Sequence, residues 1–95
     1  MYLGIYRFEG KVANLLDGYD RMMQAVPPAA LHLHVCVPDD GGLWVYDACP
    51  SREVFEHFAA SADFRALLAE AGLPPPQVRL VGDVHRAIVG GERRI

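Results

Sequence analysis

The sequence has no apolar run approaching the roughly 18 to 20 residues that a membrane span requires, and neither end carries a lipidation motif. It has no glycine-rich phosphate loop between a strand and a helix, no Cys-x-x-Cys pair and no serine elbow of the hydrolase type. It lacks a dominant charge as well. Nine basic and twelve acidic residues are interspersed to a net charge of −3, so no long-range field recruits nucleic acid or an anionic membrane. Cysteine is scarce: Cys36 and Cys49 are the only two, no secretory leader precedes them, and two reduced thiols in the cytoplasm are the expectation.

What is present is a 95-residue chain with 52% hydrophobic residues, enough for one domain with a real core. A domain this short buries only about 60 to 65% of its unfolded surface, so association would help it. Residues 2 to 8 read as a strand that ends at Glu9-Gly10. From Lys11, the apolar residues Val12, Leu15, Leu16, Tyr19, Met22, Met23 and Val26 recur at helical steps until Pro27-Pro28 stops them. Leu31 to Val37 alternates strictly, Pro38 to Gly42 carries turn chemistry, and Leu43 to Cys49 returns as the second arm of a hairpin. Ser51 caps the next helix, Ser61 marks a break and a second cap, and Gly72 closes the helical stretch. Val78 to Val89 reads as the last strand. Residues 1–90 thus form a single domain, and 91–95 a loose tail.

The order strand, helix, strand, strand, helix, strand predicts an α+β fold, the ferredoxin-like βαββαβ arrangement with helices over one face of a four-stranded antiparallel sheet. Leu31, Leu33, Val35 and Val37 match the apolar stripes of the helices and are assigned to the covered face. His32, His34 and Cys36 then fall on the open face, with Tyr2, Gly4, Tyr6 and Phe8 of the first strand and Val81, Asp83, His85 and Ala87 of the last. A four-residue hairpin loop sets Cys36 opposite Val45, His34 opposite Asp47 and His32 opposite Cys49. Rings, aliphatics, histidines, aspartates and thiols on one face suit a pocket.

Three stretches carry a resemblance: His-Val-Cys-Val-Pro at 34 to 38, Gly-Leu-Trp-Val-Tyr-Asp-Ala-Cys-Pro-Ser-Arg-Glu-Val-Phe-Glu-His-Phe at 42 to 58, and Ala-Gly-Leu-Pro at 71 to 74. From Tyr2 to Val89 the chain resembles the dimeric α/β-barrel superfamily, in particular small members near the antibiotic biosynthesis monooxygenases. Cys49 stands where similar members place a tryptophan just before the Ser-Arg-Glu helix start. The resemblance implies a homodimer whose two sheets pack face to face, each subunit keeping its own cavity for a small-molecule ligand. The superfamily spans cofactor-free oxygenases, polyketide cyclases, isomerases, haem-degrading enzymes and members of unknown role, and fold does not choose among them.

His34 with Asp47 is the sharpest constellation. A carboxylate beside an imidazole in a cavity favours a proton-transferring histidine, and a buried histidine merely satisfied by its neighbour is the alternative. His85 is assigned as an assisting acid. Tyr6, Phe8, His32, Cys36, Val45, Cys49 and Val81 are assigned to the substrate-binding wall. Tyr6 either offers its hydroxyl to an oxyanion or simply packs, and the two cysteines read as small buried hydrophobes rather than nucleophiles. A metal on His32, His34, Asp47 and His85 is the lesser reading, because any alternating strand with two histidines shows that spacing. Haem by family analogy would look to His57, which reads as solvent-facing. Neither a metal nor a cofactor is therefore assigned. The expectation is a cofactor-independent monooxygenase or cyclase/isomerase acting on a small apolar aromatic or polyketide-like substrate. A non-catalytic dimeric ligand-binding or accessory protein is the alternative.

Overall fold

The computed structural model describes all 95 residues. The chain runs β1 (Tyr2–Glu9), α1 (Val12–Gln24), a single 3-10 turn (Pro28–Ala30), β2 (Leu33–Asp39), β3 (Gly42–Cys49), α2 (Arg52–Ala59), α3 (Ala62–Ala71), β4 (Gln77–Asp83), β5 (Ile88–Val89) and β6 (Glu92–Arg93). Four strands form one antiparallel sheet in the order β2-β3-β1-β4. The caps are where local chemistry puts them. Ser51 Oγ accepts from the Val54 amide at 3.2 Å and Ser61 Oγ from the Phe64 amide at 3.1 Å, so α2 and α3 are separate helices. Gly72 ends α3 in the left-handed conformation.

The β2-β3 hairpin has the inferred register, with His34 opposite Asp47 and Cys36 opposite Val45. Its connection is shorter than expected: Asp39 and Gly42 are themselves paired, leaving Asp40 and Gly41 as the turn, and β2 starts after His32, which pairs with nothing.

The faces of β1, β2 and β3 are the reverse of the assignment from sequence. Tyr2, Tyr6, Phe8, Leu43 and Val45 are buried in one cluster with Leu15 and Met22 of α1, Phe55 of α2, and Phe64 and Leu68 of α3. His34, Cys36, Asp47 and Cys49 share that covered side by register. The aliphatic row of β2 lies on the open side, where Val35 and Val37 are each 45% exposed. The reason is volume. Three rings on alternate positions of β1 fill the space under the helices better than a row of valines, and Gly4 leaves the gap that Phe55 occupies: a Cβ there would sit 2.0 Å from its ring.

On β4, Val78 and Leu80 lie opposite Tyr6 and Gly4 and so share the helix side, although both remain half exposed. Val81 is the extra residue of a bulge between the Leu3-Gly82 and Gly4-Leu80 pairs. Asp83 falls opposite Tyr2 on the helix side, and His85 lies beyond the strand. The sheet strand ends at Asp83 rather than running to Val89. The last residues, expected to be loose, close a small hairpin in which Ile88 pairs with Arg93 and Val89 with Glu92. Its turn is Gly90-Gly91, both at positive φ, the conformation a two-residue hairpin turn demands. No helix is long and apolar enough to cross a membrane.

Candidate functional site

The inverted face puts the titratable residues of the hairpin inside the subunit, between sheet and helices. Asp47 is only 8% exposed, and two donors compensate its carboxylate. His34 Nδ1 lies 3.3 Å from Oδ1, and the Cys49 thiol donates to Oδ2 at 3.6 Å. A carboxylate only accepts, so the His34 proton sits on Nδ1 in the neutral ring and Nε2 is left to accept. It does so from the Tyr19 hydroxyl, at 2.7 Å. The Tyr19 ring also lies nearly parallel to the imidazole, with centroids 5.8 Å apart and planes 16° apart. Tyr19, on α1, is the residue that periodicity misses: it reads as one more member of an apolar stripe. Its signal is the polar tip of a tyrosine on the turn that crosses the edge strand bearing His34.

The groups around Asp47 are held protonated. Burial first, then the charge of Asp47, raises the Cys49 thiol from 9.0 to about 11. Burial likewise pushes Tyr19 from 10.0 to about 12, helped by Cys36, Asp20 and Asp47. Tyr6 is raised further still, again by burial first and Asp47 second. Cys36 is raised chiefly by burial. None of these is a ready anion, so neither thiol is an activated nucleophile.

His34 and Asp47 lie in the floor of a narrow cleft of about 60 Å³, otherwise walled by Tyr6, Phe8, Val45, Phe64 and the flexible Met22 and Met23. An adjoining groove of about 440 Å³ reaches Asp47 from the side of His32, Cys49 and Pro50, sharing Val26, Leu31, Phe58 and Leu67 with the cleft. Of the wall residues expected from sequence, Tyr6, Phe8 and Val45 line the cleft, and His32 and Cys49 line the groove. Cys36 packs against the core without lining either. Val81, at 55% exposed, is on neither wall. His85 does not join His34 and Asp47: it is exposed in the bend after β4 and hydrogen-bonds to nothing. The expected acid therefore has no place here, because β4 ends at Asp83, before the residue that would carry it. His57 is exposed on α2. No three histidine, cysteine, aspartate or glutamate side chains gather closely enough to hold a metal.

The open face is a different kind of surface. Leu3, Ile5, Leu33, Val35, Val37 and Tyr46 spread an apolar field across three strands. At its hairpin end the Arg7 guanidinium lies 4.4 Å from the Trp44 ring centre and makes two 3.1 Å bonds to Asp39, which also accepts from the Trp44 indole at 2.7 Å. Those bonds, Arg7 first, hold the Asp39 carboxyl down at about 2. The chain matches no family model, no curated protein and no solved structure.

Proposed function

We propose that two copies of this chain pack their open sheet faces together as a dimeric α/β barrel of ferredoxin-like subunits, with both thiols free in a reducing cytoplasm. Each subunit keeps its own cleft, which carries out cofactor-independent proton transfer on a small apolar, aromatic or polyketide-like molecule, ahead of oxygenation or ring closure. The strand order and the unpartnered apolar face support the assembly. With only 17 of 95 residues buried, one layer of helices leaves the subunit short of core, and a second sheet would supply the rest.

The observation that carries the chemistry is the hydrogen-bonded chain from Asp47 through His34 to Tyr19, of which His34 and Asp47 line an otherwise apolar cleft. Asp47 fixes the tautomer and faces the imidazolium that forms when Nε2 takes a proton from an acidic carbon or hydroxyl. The substrate replaces the Tyr19 hydroxyl at Nε2. Tyr19, still protonated, is then free to donate to the resulting oxyanion. His34 is the base, Asp47 its orienting partner, and His85 has no part.

One observation favours the non-catalytic alternative: both nitrogens of His34 already have partners within the protein, as in a histidine kept for structure. The test is to incubate the protein with cyclic ketones and phenols in D2O and follow deuterium uptake at carbon by NMR. Catalysed exchange is expected, and His34→Gln lowers it by about 100-fold or more. Unchanged exchange in His34→Gln removes this mechanism. Binding without exchange selects the ligand-binding protein.

A further inference from the structure

Resting on the reading of His34 as the base of the cleft, we propose that Cys49 is a positioning residue for it: the thiol holds the Asp47 carboxylate back from the imidazole and so moderates the basicity of His34. Asp47 and Cys49 are alternate residues of β3 and share its helix side. The thiol donates to Oδ2 at 3.6 Å, within the longer reach of sulfur, while His34 Nδ1 lies 3.3 Å from Oδ1. The carboxylate is thus drawn toward two donors, one at each oxygen. Its contact with His34 is long for a nitrogen donor facing a carboxylate, for which about 2.7 to 3.0 Å is usual.

A thiol plays this part only while it keeps its proton. Burial first, then the charge of Asp47, raises Cys49 to about 11, so it stays a donor through the neutral range. Each hydrogen bond that a carboxylate accepts draws off part of its charge. Without the thiol, Oδ1 faces His34 with more charge and is free to close on Nδ1, which favours the imidazolium. Asp47 is only 8% exposed, so water does little to replace the lost donor. Other titratable groups face the pair. Tyr19 bonds His34 from α1, with Asp20 next to it; Tyr6 of β1 senses the Asp47 charge; Cys36 lies on β2; and His32 and Arg94 line a groove that also touches His34. From α2 and α3, only Phe58, Phe64 and Leu67 line the cleft. None of these bonds the carboxylate, which leaves Cys49 as the partner it has besides His34.

The experiment replaces Cys49 by Ala and by Val, which differ in volume but both lack a donor, and by Ser, which restores one. Val fills the space of the thiol and suits a strand, so the comparison survives a poorly folded Cys49→Ala. Two readings are taken: the NMR signal of the His34 Nδ1 proton, and the pH profile of deuterium uptake into a cyclic ketone. In Cys49→Ala and Cys49→Val the proton signal is expected to move downfield. The rising limb of the profile is expected to shift up by about half a pH unit to one unit, roughly a three- to tenfold change in proton affinity, the worth of one hydrogen bond. Cys49→Ser is expected to return both readings to the wild-type values. Readings unmoved in Cys49→Ala and Cys49→Val overturn the proposal, as do shifts that follow side-chain volume or that Cys49→Ser shares. If no ketone exchanges in the wild-type protein, the base reading falls by itself. The proton signal then still decides for Cys49: a downfield move reversed by Ser upholds its hold on Asp47, and an unmoved signal overturns it.

Discussion

Alkali should loosen this fold through the protonated acids around Asp47. The Cys49 thiol is raised from 9.0 to about 11 and the Tyr19 phenol from 10.0 to about 12, in both cases by burial first. In the unfolded chain these groups ionise at their ordinary values while the folded protein still holds their protons. The folded state then binds more protons, so stability falls as pH rises. Their contribution is complete below about pH 9, declines as pH climbs through about 11 for Cys49, and goes on declining to about 12 for Tyr19. A hundredfold change in proton affinity is worth ~2.7 kcal/mol at face value. Both groups are partly open to solvent, which screens them, so ~1 kcal/mol from each is the working figure. A loss of ~2 kcal/mol is large against a net stability of about 5 to 15 kcal/mol. Urea midpoints followed by circular dichroism under reducing conditions, at intervals from pH 7 to 11, would show the decline. In the double variant Cys49→Ala/Tyr19→Phe the slope should roughly halve. A midpoint that is flat from pH 8 to 11, or a decline the double variant does not alter, would refute the reasoning.

Phe55→Ala removes a ring with no exposed surface that fills the gap over Gly4 and stacks on Tyr6. It should cost about 3 to 5 kcal/mol in urea or thermal unfolding, and a loss under 1 kcal/mol would mean that the core closes over the space. Val35→Lys combined with Val37→Lys puts two charges into the apolar open face. Sedimentation should then show a monomer where the wild-type protein is a dimer, and a wild-type protein that is already monomeric at micromolar concentration would end the barrel proposal.

The elements up to the start of β4 were legible in the sequence because their signals are local. Ser51 and Ser61 cap, Gly72 terminates, and the Asp-Asp-Gly-Gly turn brings His34 opposite Asp47, all within a few residues. The side of the sheet that the helices cover was not legible. Alternation separates two sets of residues without saying which set is inside. Matching aliphatic strand residues to aliphatic helix stripes chose wrongly, because the helices cover the face that carries His34 and Asp47. Each is in fact made buriable by the other, with Tyr19 completing the imidazole and Cys49 the carboxylate. That satisfaction depends on a helix residue 15 positions before His34, a distance over which periodicity carries no information. His85 failed for a similar reason. The strand pattern runs on past Asp83, but the pairing partner does not, since β1 begins at Tyr2, opposite Asp83.

The reversal changes what the two faces can do independently. Had the histidines pointed outward, one surface would have had to serve as both dimer interface and reaction pocket, and every change to one would have disturbed the other. With His34 and Asp47 inward and Val35, Val37 and Tyr46 outward, the same two strands present chemistry on one side and an apolar sheet on the other. Adjacent residues then divide the roles: His34 belongs to the cleft, and Val35 to the open face. Association at the open face would stiffen β2, which as an edge strand pairs with β3 alone, and so would steady the imidazole without touching it. Dimerisation would then tighten the proton-transfer geometry through the backbone of β2, while the composition of the cleft wall stayed that of a single subunit.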